Sequence, residues 1–262
     1  MTNIAIVTGA SSGLGKEIVR QLAEGAFGPL DEIWAVSRRA ERTSPRVRPF
    51  ALDLTDPASF DVIEQALTET PGARVVLLVN NAGFGTFGDF ADMPADDNAS
   101  MVRLLMLAPV ELTYRALPYM GAGSRILNVS SVAAFMPQPG LATYSAAKRF
   151  VLDFSRALDA ELGSVDIHVT ALCPKFMHTG FLDHAGADDV AARMAGLTGF
   201  EDVRHVASRA LDAARAGRAL CIPSADMRAF YAAAKLLPYP LALNLEQALM
   251  GLGDKRQHKQ VP

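Results

Sequence analysis

A regular alternation of short apolar runs with longer amphipathic stretches constrains the fold of this chain more than any other feature of its sequence. The runs are rich in valine, isoleucine and leucine, and most are apolar on both faces. Strands with two apolar faces are typical of parallel sheets that helices cover on both sides. The stretches between them have the length and periodicity of helices that connect parallel strands.

Seven strands and five connecting helices can be placed on this pattern. The strands are predicted at residues 3–7, 32–36, 48–52, 75–80, 125–129, 166–172 and 219–222. The connecting helices are predicted at residues 13–24, 57–68, 97–119, 142–162 and 204–216. The predicted fold class is α/β, a single doubly wound Rossmann-type domain with a seven-stranded parallel sheet flanked by helices. In such a sheet the ligand binds at the carboxyl ends of the strands.

Length and composition set limits on function. The 262 residues are 50% hydrophobic, which favours one domain over residues 1–262, and the formal net charge of −3 argues against a nucleic-acid partner. No run of about 18 apolar residues occurs, so no membrane span is predicted. Cys173 and Cys221 lie far apart and lack the spacing of metal ligands, so we expect free thiols, a cytoplasmic location and no bound metal. The expected partner is a small molecule.

A glycine-rich turn directly follows the first strand and opens the first helix. Glycine lets the backbone turn sharply and come close to a pyrophosphate, and the free N–H groups of a helix N-terminus attract the charge of that group. A turn of this kind alone is a weak signal, but its place between a strand and a helix strengthens it. The candidate dinucleotide contacts of the turn are Gly9, Ser11, Ser12, Gly13, Leu14 and Gly15.

The end of the second strand indicates NADP(H) as the cofactor. An NAD-specific site usually has an acidic residue here to bind the ribose 2′-hydroxyl, but this sequence has Ser37 and Arg38 instead. A hydroxyl and a planar guanidinium suit a 2′-phosphate, because the guanidinium donates paired hydrogen bonds to phosphate oxygens. The alternative is that Arg38 and Arg39 form a solvated surface pair.

Two further strand ends supply candidate contacts with the adenosine half of the cofactor. Asp53 and Leu54 follow the third strand, and Asn81, Ala82 and Gly83 follow the fourth. Small residues at 82 and 83 would allow the cofactor to lie against the backbone. The side chain of Asn81 can fix the loop by local hydrogen bonds.

With these motifs, the sequence resembles the short-chain dehydrogenase/reductase family over residues 3 to about 222. The resemblance rests on the turn at 8–15, the motif at 80–83, Ser131 after the fifth strand, and Tyr144 and Lys148 further along the chain. It implies an oxidoreductase that transfers a hydride between NADP(H) and a carbonyl or alcohol substrate. It also implies a homodimer or homotetramer joined through the two long helices, although these helices could equally be buried within one chain.

Tyr144 and Lys148 are the predicted acid/base pair and are also candidate cofactor contacts. At a spacing of four residues they share one face of a helix, so the ammonium can lie near the phenol and the nicotinamide ribose. We expect its positive charge, together with that of the oxidised nicotinamide, to lower the pKa of the tyrosine from about 10. In reduction, Tyr144 would protonate the carbonyl oxygen while Ser131 donates a hydrogen bond to it. Ser130 competes for that second role, and the resemblance favours Ser131.

The sequence departs from the family pattern at two positions. Where family members commonly carry an asparagine that helps to hold a proton-relay water, this chain has Leu105. After the sixth strand, Lys175 stands where the family usually has glycine, and it could attract an anionic substrate group or point to solvent. The resemblance implies that Pro174, the Met177 backbone and the Thr179 hydroxyl lie against the nicotinamide carboxamide.

The segments after the sixth and seventh strands carry the remaining expectations. Residues 176–200 are expected to form a substrate lid, whose apolar content suggests an apolar substrate or, equally, ordinary helix packing. Residues 227–262 are expected to form a C-terminal extension that could contact a membrane surface, a partner or the body of the protein. An alternative function, supported by Leu105 and Lys175, is a dinucleotide-binding regulatory or sensor protein with weak or no turnover.

Overall fold

A seven-stranded parallel sheet forms the centre of the fold in the computed structural model, which describes residues 1–177 and 199–236. The strands are β1 (Thr2–Thr8), β2 (Glu32–Ser37), β3 (Val47–Ala51), β4 (Ala73–Asn80), β5 (Arg125–Val129), β6 (His168–Leu172) and β7 (Leu220–Cys221). They lie in the order β3-β2-β1-β4-β5-β6-β7, and each neighbouring pair is parallel. The order reverses between β1 and β4, and this switch point opens a crevice at the carboxyl ends of the strands.

Helices cover both faces of the sheet. They are α1 (Gly13–Ala23), α2 (Ala58–Glu69), α3 (Ala95–Val102), α4 (Ala108–Ala116), α5 (Ala142–Leu162), α6 (Val203–Arg215) and α7 (Ala225–Ala234). Helices α1 and α6 pack together on one face, and α2, α4 and α5 bury side chains against the other. This arrangement confirms the predicted doubly wound fold class.

The two faces of β1 show why its sequence is apolar without alternation. Ala5 and Val7 belong to the core on the side of α1 and α6, whereas Ile4 and Ile6 belong to the core on the side of α2 and α4. All four residues are 0% exposed. Because full burial of a large aliphatic side chain contributes about 1.5–3 kcal/mol, both faces of this central strand stabilise the layers that cover it.

One predicted helix is not continuous. The helix expected over residues 97–119 consists of α3 and α4 separated by a π-helical turn, Arg103–Leu107, and a 3-10 turn, Leu117–Tyr119, follows. Pro109 carries no N–H, so it cannot donate the usual helical hydrogen bond to the carbonyl of Leu105 four residues earlier. The proline therefore accounts for irregular hydrogen bonding at this point, which an apolar periodicity alone does not reveal.

The chain after β7 packs on the outer part of the sheet. Helix α7 brings Phe230 and Tyr231 against Phe135, with ring centroids 6.2 and 4.7 Å from that of Phe135. Residues 237–262 of the predicted C-terminal extension lie outside the described residues. Within the described part of the chain, no helix is both long enough and apolar enough to cross a membrane.

Candidate active site

A cleft of about 670 Å³ opens at the carboxyl ends of β1 to β6. The glycine-rich turn and the end of β2 line one half of it, and Ser131, Tyr144 and Lys148 line the other. The predicted cofactor contacts that also line it are Gly9, Ser11, Ser12, Gly13, Leu14, Ser37, Arg38, Asp53, Leu54, Asn81, Ala82, Gly83, Pro174 and Met177. Thr179 and residues 178–198 of the predicted lid lie outside the described residues.

Contacts with Asn81 hold the glycine-rich turn in shape. Gly9 and Gly13 have positive φ angles of 66° and 52°, a region that favours glycine. Asn81 Nδ2 donates to the carbonyls of Thr8 at 2.9 Å and Gly9 at 3.4 Å, so this side chain does fix the loop as predicted. Gly15 lies beneath the turn rather than on the cleft wall. A Cβ at Gly15 would lie 2.3 Å from the Gly9 carbonyl oxygen, so glycine at this position allows α1 to pack closely against the turn.

Helix α1 begins in this turn with an open N-terminus. Ser12 occupies the N-cap position, but its side chain makes no capping hydrogen bond. The N–H groups of the first helical turn therefore keep their partial positive charge for an anion. Together with the bare glycine backbone beside it, this arrangement fits a pyrophosphate.

The end of β2 fits the predicted 2′-phosphate. The Ser37 hydroxyl is buried without a hydrogen-bond partner, which leaves its donor free for a ligand. Arg38 and Arg39 are exposed and line the cleft. The pKa of Asp53 is lowered mainly by the Thr55 backbone N–H and further by the charge of Arg38, so Arg38 lies near Asp53. Arg38 therefore lies on the cleft wall and is exposed, as the solvated-pair alternative also requires.

Hydrogen bonds also order the loops after β3 and β4. Asp53 Oδ1 accepts the backbone N–H of Thr55 at 2.9 Å and its hydroxyl at 2.8 Å. The Thr8 hydroxyl accepts the N–H groups of Asn81 and Ala82, both at 2.9 Å. The loop after β4 is therefore tied to β1, and the loop after β3 is held in a tight turn beside it.

Ser131, Tyr144 and Lys148 converge on the other half of the cleft. Tyr144 and Lys148 lie one turn apart near the start of α5, with Lys148 Nζ 5.6 Å from the centroid of the tyrosine ring. The Ser131 hydroxyl hydrogen-bonds the Tyr144 phenol and accepts the N–H of Ala133 at 3.1 Å. Ser130 is buried, and its hydroxyl donates to the Lys148 carbonyl at 2.7 Å. Ser131, and not Ser130, therefore faces the phenol.

The pKa of Tyr144 in the protein alone is raised, whereas the predicted lowering includes the charge of the oxidised nicotinamide. The proximity of Lys148 predicts a lowered tyrosine pKa, but burial raises the pKa of Tyr144 to about 12, and the hydrogen bond with Ser131 opposes this shift only in part. In the chain itself, removal of the phenol from water outweighs the neighbouring charge. At neutral pH the phenol is therefore protonated, which is the form that can donate a proton.

Lys148 is buried beside the phenol. Its Nζ donates to the Val129 carbonyl at 2.8 Å. Burial lowers the pKa of Lys148 to about 8, against an opposing effect from Cys173. The ammonium is therefore the main form at neutral pH, but it loses its proton well before Tyr144 does.

Comparison with known proteins agrees with this geometry. A family model described as short chain dehydrogenase matches residues 3–189. The chain belongs to the short-chain dehydrogenases. Sulfoacetaldehyde reductase 2 of Chromohalobacter salexigens is 33% identical over 206 residues, which cover 73% of this chain and 80% of that protein. The 3-ketodihydrosphingosine reductase of Bacteroides thetaiotaomicron is 30% identical over 194 residues, which cover 72% of this chain and 70% of that protein.

A solved structure extends the likeness along the chain. A short-chain dehydrogenase from Sphingobium yanoikuyae in complex with NADPH has a TM-score of 0.72 and 26% sequence identity to this chain. The alignment covers 100% of this chain and 99% of that one. The family match over residues 3–189 and the structural match therefore both include β1 to β6.

This short-chain dehydrogenase departs from the expected family pattern at Leu105. Leu105 is 2% exposed, and a Cβ built on Gly83 would lie 2.8 Å from Leu105 Cδ2 and 3.8 Å from Lys148 Nζ. An apolar side chain thus fills space close to the ammonium. Leucine has no polar atom with which to hold a water, so a proton route past Lys148 has to use groups other than this side chain.

The Lys175 side chain does not point to solvent, which is one of the two alternatives drawn from the sequence. Its side chain is 10% exposed, and its Nζ forms an ion pair with Asp226 Oδ2 at 2.9 Å. Its backbone N–H donates to Glu201 Oε2 at 3.0 Å, and the Glu201 N–H donates to the Phe176 carbonyl at 2.8 Å. Lys175 therefore connects the loop after β6 to α7 through Asp226 and to residue 201 through its backbone N–H. The carboxylate of Asp226 balances the charge of the Lys175 ammonium.

The substrate half of this dehydrogenase contains Phe84 and Phe87, which sequence reasoning missed, beside Phe176 at the start of the predicted lid. Phe84, Phe87 and Phe176 line the cleft, and the rings of Phe87 and Phe176 stack with centroids 6.5 Å apart. These phenylalanines follow the ends of β4 and β6, where ligand contacts are expected, so their positions are a usable signal. Gln138 also lines the cleft, but it stands in an irregular segment before α5 where no periodic pattern marks it.

Proposed function

We propose that this short-chain dehydrogenase transfers a hydride between NADP(H) and a carbonyl or alcohol substrate. One observation carries the proposal. A continuous cleft has phosphate-binding groups, the glycine-rich turn with Ser37 and Arg38, in one half, and Ser131, Tyr144 and Lys148 in the other. A dinucleotide along this cleft would bring its nicotinamide end to the phenol.

Each of the three residues has a proposed role in the direction of reduction. When bound, NADPH supplies the hydride. Tyr144 donates its proton to the carbonyl oxygen, and the Ser131 hydroxyl stabilises the charge that develops on that oxygen. Lys148 places a positive charge beside the phenol, which favours loss of the tyrosine proton. In the oxidation of an alcohol, Tyr144 would accept the proton and NADP⁺ would accept the hydride.

The preference for NADP(H) is supported by the chemistry at the end of β2. The unpartnered Ser37 hydroxyl and the guanidinium of Arg38 are donors that suit a phosphate. No acidic side chain at this strand end is available for a ribose 2′-hydroxyl, since the sequence runs Ser37-Arg38-Arg39. The similar structure from Sphingobium yanoikuyae is a complex with NADPH, in agreement with this choice.

An uncharged, largely apolar substrate suits the other half of the cleft. Phe84, Phe87 and Phe176 supply an apolar wall, and burial of apolar substrate surface contributes about 25 cal/mol per Å². Lys175 offers little to an anion, because Asp226 already balances its charge. In its apolar character, the 3-ketodihydrosphingosine named in one relative is closer to the expected substrate than the sulfoacetaldehyde named in the other.

Consumption of reduced nicotinamide tests the proposed function. The full-length protein is mixed with NADPH, or separately with NADH, and offered a panel of apolar ketones and aldehydes, with alcohols and NADP⁺ for the reverse reaction. We expect NADPH oxidation with members of the panel and much slower oxidation of NADH. Tight NADPH binding without turnover on any compound would instead favour a regulatory or sensor protein.

We expect the loss of activity at high pH to follow deprotonation of Lys148. Because the pKa of Lys148 is about 8 and that of Tyr144 about 12, kcat/KM for reduction should be constant below pH 8 and fall above it. Steady-state rates at a series of pH values measure this profile. In a Lys148→Arg variant the fall should move to higher pH, since a guanidinium keeps its proton. A native profile that stays flat to about pH 10 would contradict a pKa of about 8 for Lys148 in the working enzyme.

We further propose a homodimer or homotetramer joined through the long helices. Leu107 in the π turn is 44% exposed, and Tyr114 in α4 is 76% exposed. On α5, the rings of Phe150 and Phe154 stack with centroids 5.7 Å apart. Exposed apolar and aromatic side chains such as Leu107 and Tyr114 are typical of an interface. Light scattering of the purified protein should give at least twice the mass of one chain, and a monomeric mass would contradict this assembly.

The organisation and location of the chain are also proposals. One domain would span residues 1–262, with a substrate lid at about 176–200 and a C-terminal extension at about 227–262. The sheet supports one domain because its seven strands form a single ladder. Cys173 and Cys221 are buried free thiols, which supports a reducing cytoplasmic location. Limited proteolysis tests the single domain, and cell fractionation tests the cytoplasmic location.

A further inference from the structure

A buried carboxamide without a hydrogen-bond partner lies on the substrate side of the cleft. Gln138 is 9% exposed, and its Oε1 is closed to solvent and makes no hydrogen bond. The side-chain amide of Gln138 donates no hydrogen bond to the part of the chain that the structure describes. Gln138 lines the cleft together with Leu141 and Tyr144.

Such a group calls for a physical explanation, because burial of a polar atom without a compensating hydrogen bond is unfavourable and rare. Gln21 provides the contrast within the same chain. It is also 9% exposed, but its Nε2 donates to Glu17 Oε1 at 2.8 Å and to the Arg204 carbonyl at 3.0 Å. Gln21 is thus satisfied by the fold, whereas Gln138 is satisfied if a ligand in the cleft supplies its partner.

The backbone holds Gln138 in a fixed place relative to the phenol. Its N–H donates to Ser145 Oγ at 3.4 Å, and its carbonyl accepts the N–H of Leu141 at 3.1 Å. Ser145 follows Tyr144 in α5, so the main chain at 138 is tied to the helical turn that carries the phenol. The last torsion of a glutamine side chain is soft, so the carboxamide can present either its oxygen or its NH₂ group to a ligand.

The surroundings define the chemistry of that ligand. Phe84, Phe87 and Leu141 make this part of the wall apolar, and the carboxamide carries no charge with which to balance an ion. We propose that Gln138 binds a second, neutral hydrogen-bonding group of the substrate, a carbonyl or a hydroxyl close to the reacting carbonyl on an otherwise apolar molecule. This inference rests on the proposed reductase function and narrows its substrate class.

Two matched pairs of ketones test the inference. Ethyl 3-oxohexanoate is compared with nonan-4-one, which has the same chain length without the ester group. 2-Hydroxyacetophenone is compared with propiophenone, in which a methyl group replaces the hydroxyl. The measured quantity is the ratio of kcat/KM for the polar and apolar members, with NADPH as the reductant. Comparing this ratio between native protein and variant cancels the intrinsic reactivity of each ketone.

In Gln138→Leu we expect the ratio to fall about tenfold for at least one pair, mainly through a higher KM for the polar ketone. Gln138→Met is measured in parallel, since its unbranched side chain keeps the length of glutamine. Gln21→Leu is the matched control, with no change in the ratio. Thermal unfolding separates structural effects: Gln138→Leu should leave the melting temperature unchanged or raise it, and Gln21→Leu should lower it.

Two results would overturn the inference, and they differ in what they say of the reductase. If the kcat/KM ratio of polar to apolar ketone is the same in the native protein and in both Gln138 variants, while NADPH oxidation is intact, Gln138 does not bind the substrate. The proposed reductase function is then unaffected. Absence of NADPH oxidation with all four ketones and with the wider carbonyl panel would contradict both the role of Gln138 and the proposed reductase function.

Discussion

Replacement of Tyr144 by phenylalanine is expected to lower kcat/KM for carbonyl reduction by about 10²- to 10⁴-fold. The substitution removes only the hydroxyl that donates the proton. Tyr144 is 9% exposed within α5, so a phenylalanine of nearly the same volume preserves the packing of the helix. Cofactor binding should persist, because the glycine-rich turn and Ser37 lie in the other half of the cleft. Steady-state NADPH oxidation measures the loss, and a fluorescence titration with NADPH measures binding.

A Tyr119→Phe variant is the matched control for this experiment. The Tyr119 hydroxyl bonds to Thr68 Oγ1 at 2.8 Å, and Tyr119 does not line the cleft. Loss of this second phenol should leave kcat/KM near its native value. Native-like turnover by Tyr144→Phe would show that another group supplies the proton.

Replacement of Arg38 by alanine is expected to weaken NADPH binding about 10- to 100-fold while NADH binding changes little. The guanidinium is assigned to the 2′-phosphate, the group that distinguishes the two dinucleotides. Its removal leaves the Ser37 hydroxyl as the remaining donor at the end of β2. Calorimetric titration of the same protein with NADPH and with NADH measures the two dissociation constants.

Arg39→Ala serves as the control for charge alone, because Arg39 is also exposed and lines the same cleft one residue further from β2. A loss of positive charge near the cleft would weaken NADPH binding in both variants through the general field. A specific contact predicts a clearly larger effect for Arg38→Ala. Equal losses of affinity for NADPH and for NADH in the Arg38→Ala variant would show that Arg38 does not bind the 2′-phosphate.

The sheet and the cofactor half of the cleft could be predicted from the sequence because a buried strand has a recognisable pattern of apolar residues within its own few positions. Strands covered on both faces are apolar without alternation, as Ile4, Ala5, Ile6 and Val7 show, and each predicted strand lies within two residues of an observed one. The carboxyl ends of parallel strands meet at one edge, so motifs at these ends had to come together.

The features that the sequence did not reveal depend on contacts between distant residues or on burial. The pairing of Lys175 with Asp226 joins positions 51 residues apart, and nothing local to Lys175 indicates it. The raised pKa of Tyr144 follows from its removal from water, which the spacing to Lys148 does not report. The unpartnered carboxamide of Gln138 is visible only when every neighbouring donor and acceptor has a position.

Transfer of deuterium from NADPH labelled at C4 of the nicotinamide to a ketone is the most direct test of hydride transfer in this cleft. The alcohol product is collected and its mass determined, with the label placed on each face of the ring in separate samples. Direct transfer beside Tyr144 should place one deuterium on the carbinol carbon from one face only, and Tyr144→Phe should form far less of this product in the same time. Bound NADPH that gives no deuterated alcohol from any ketone of the panel, with the label on either face, would contradict the proposed function.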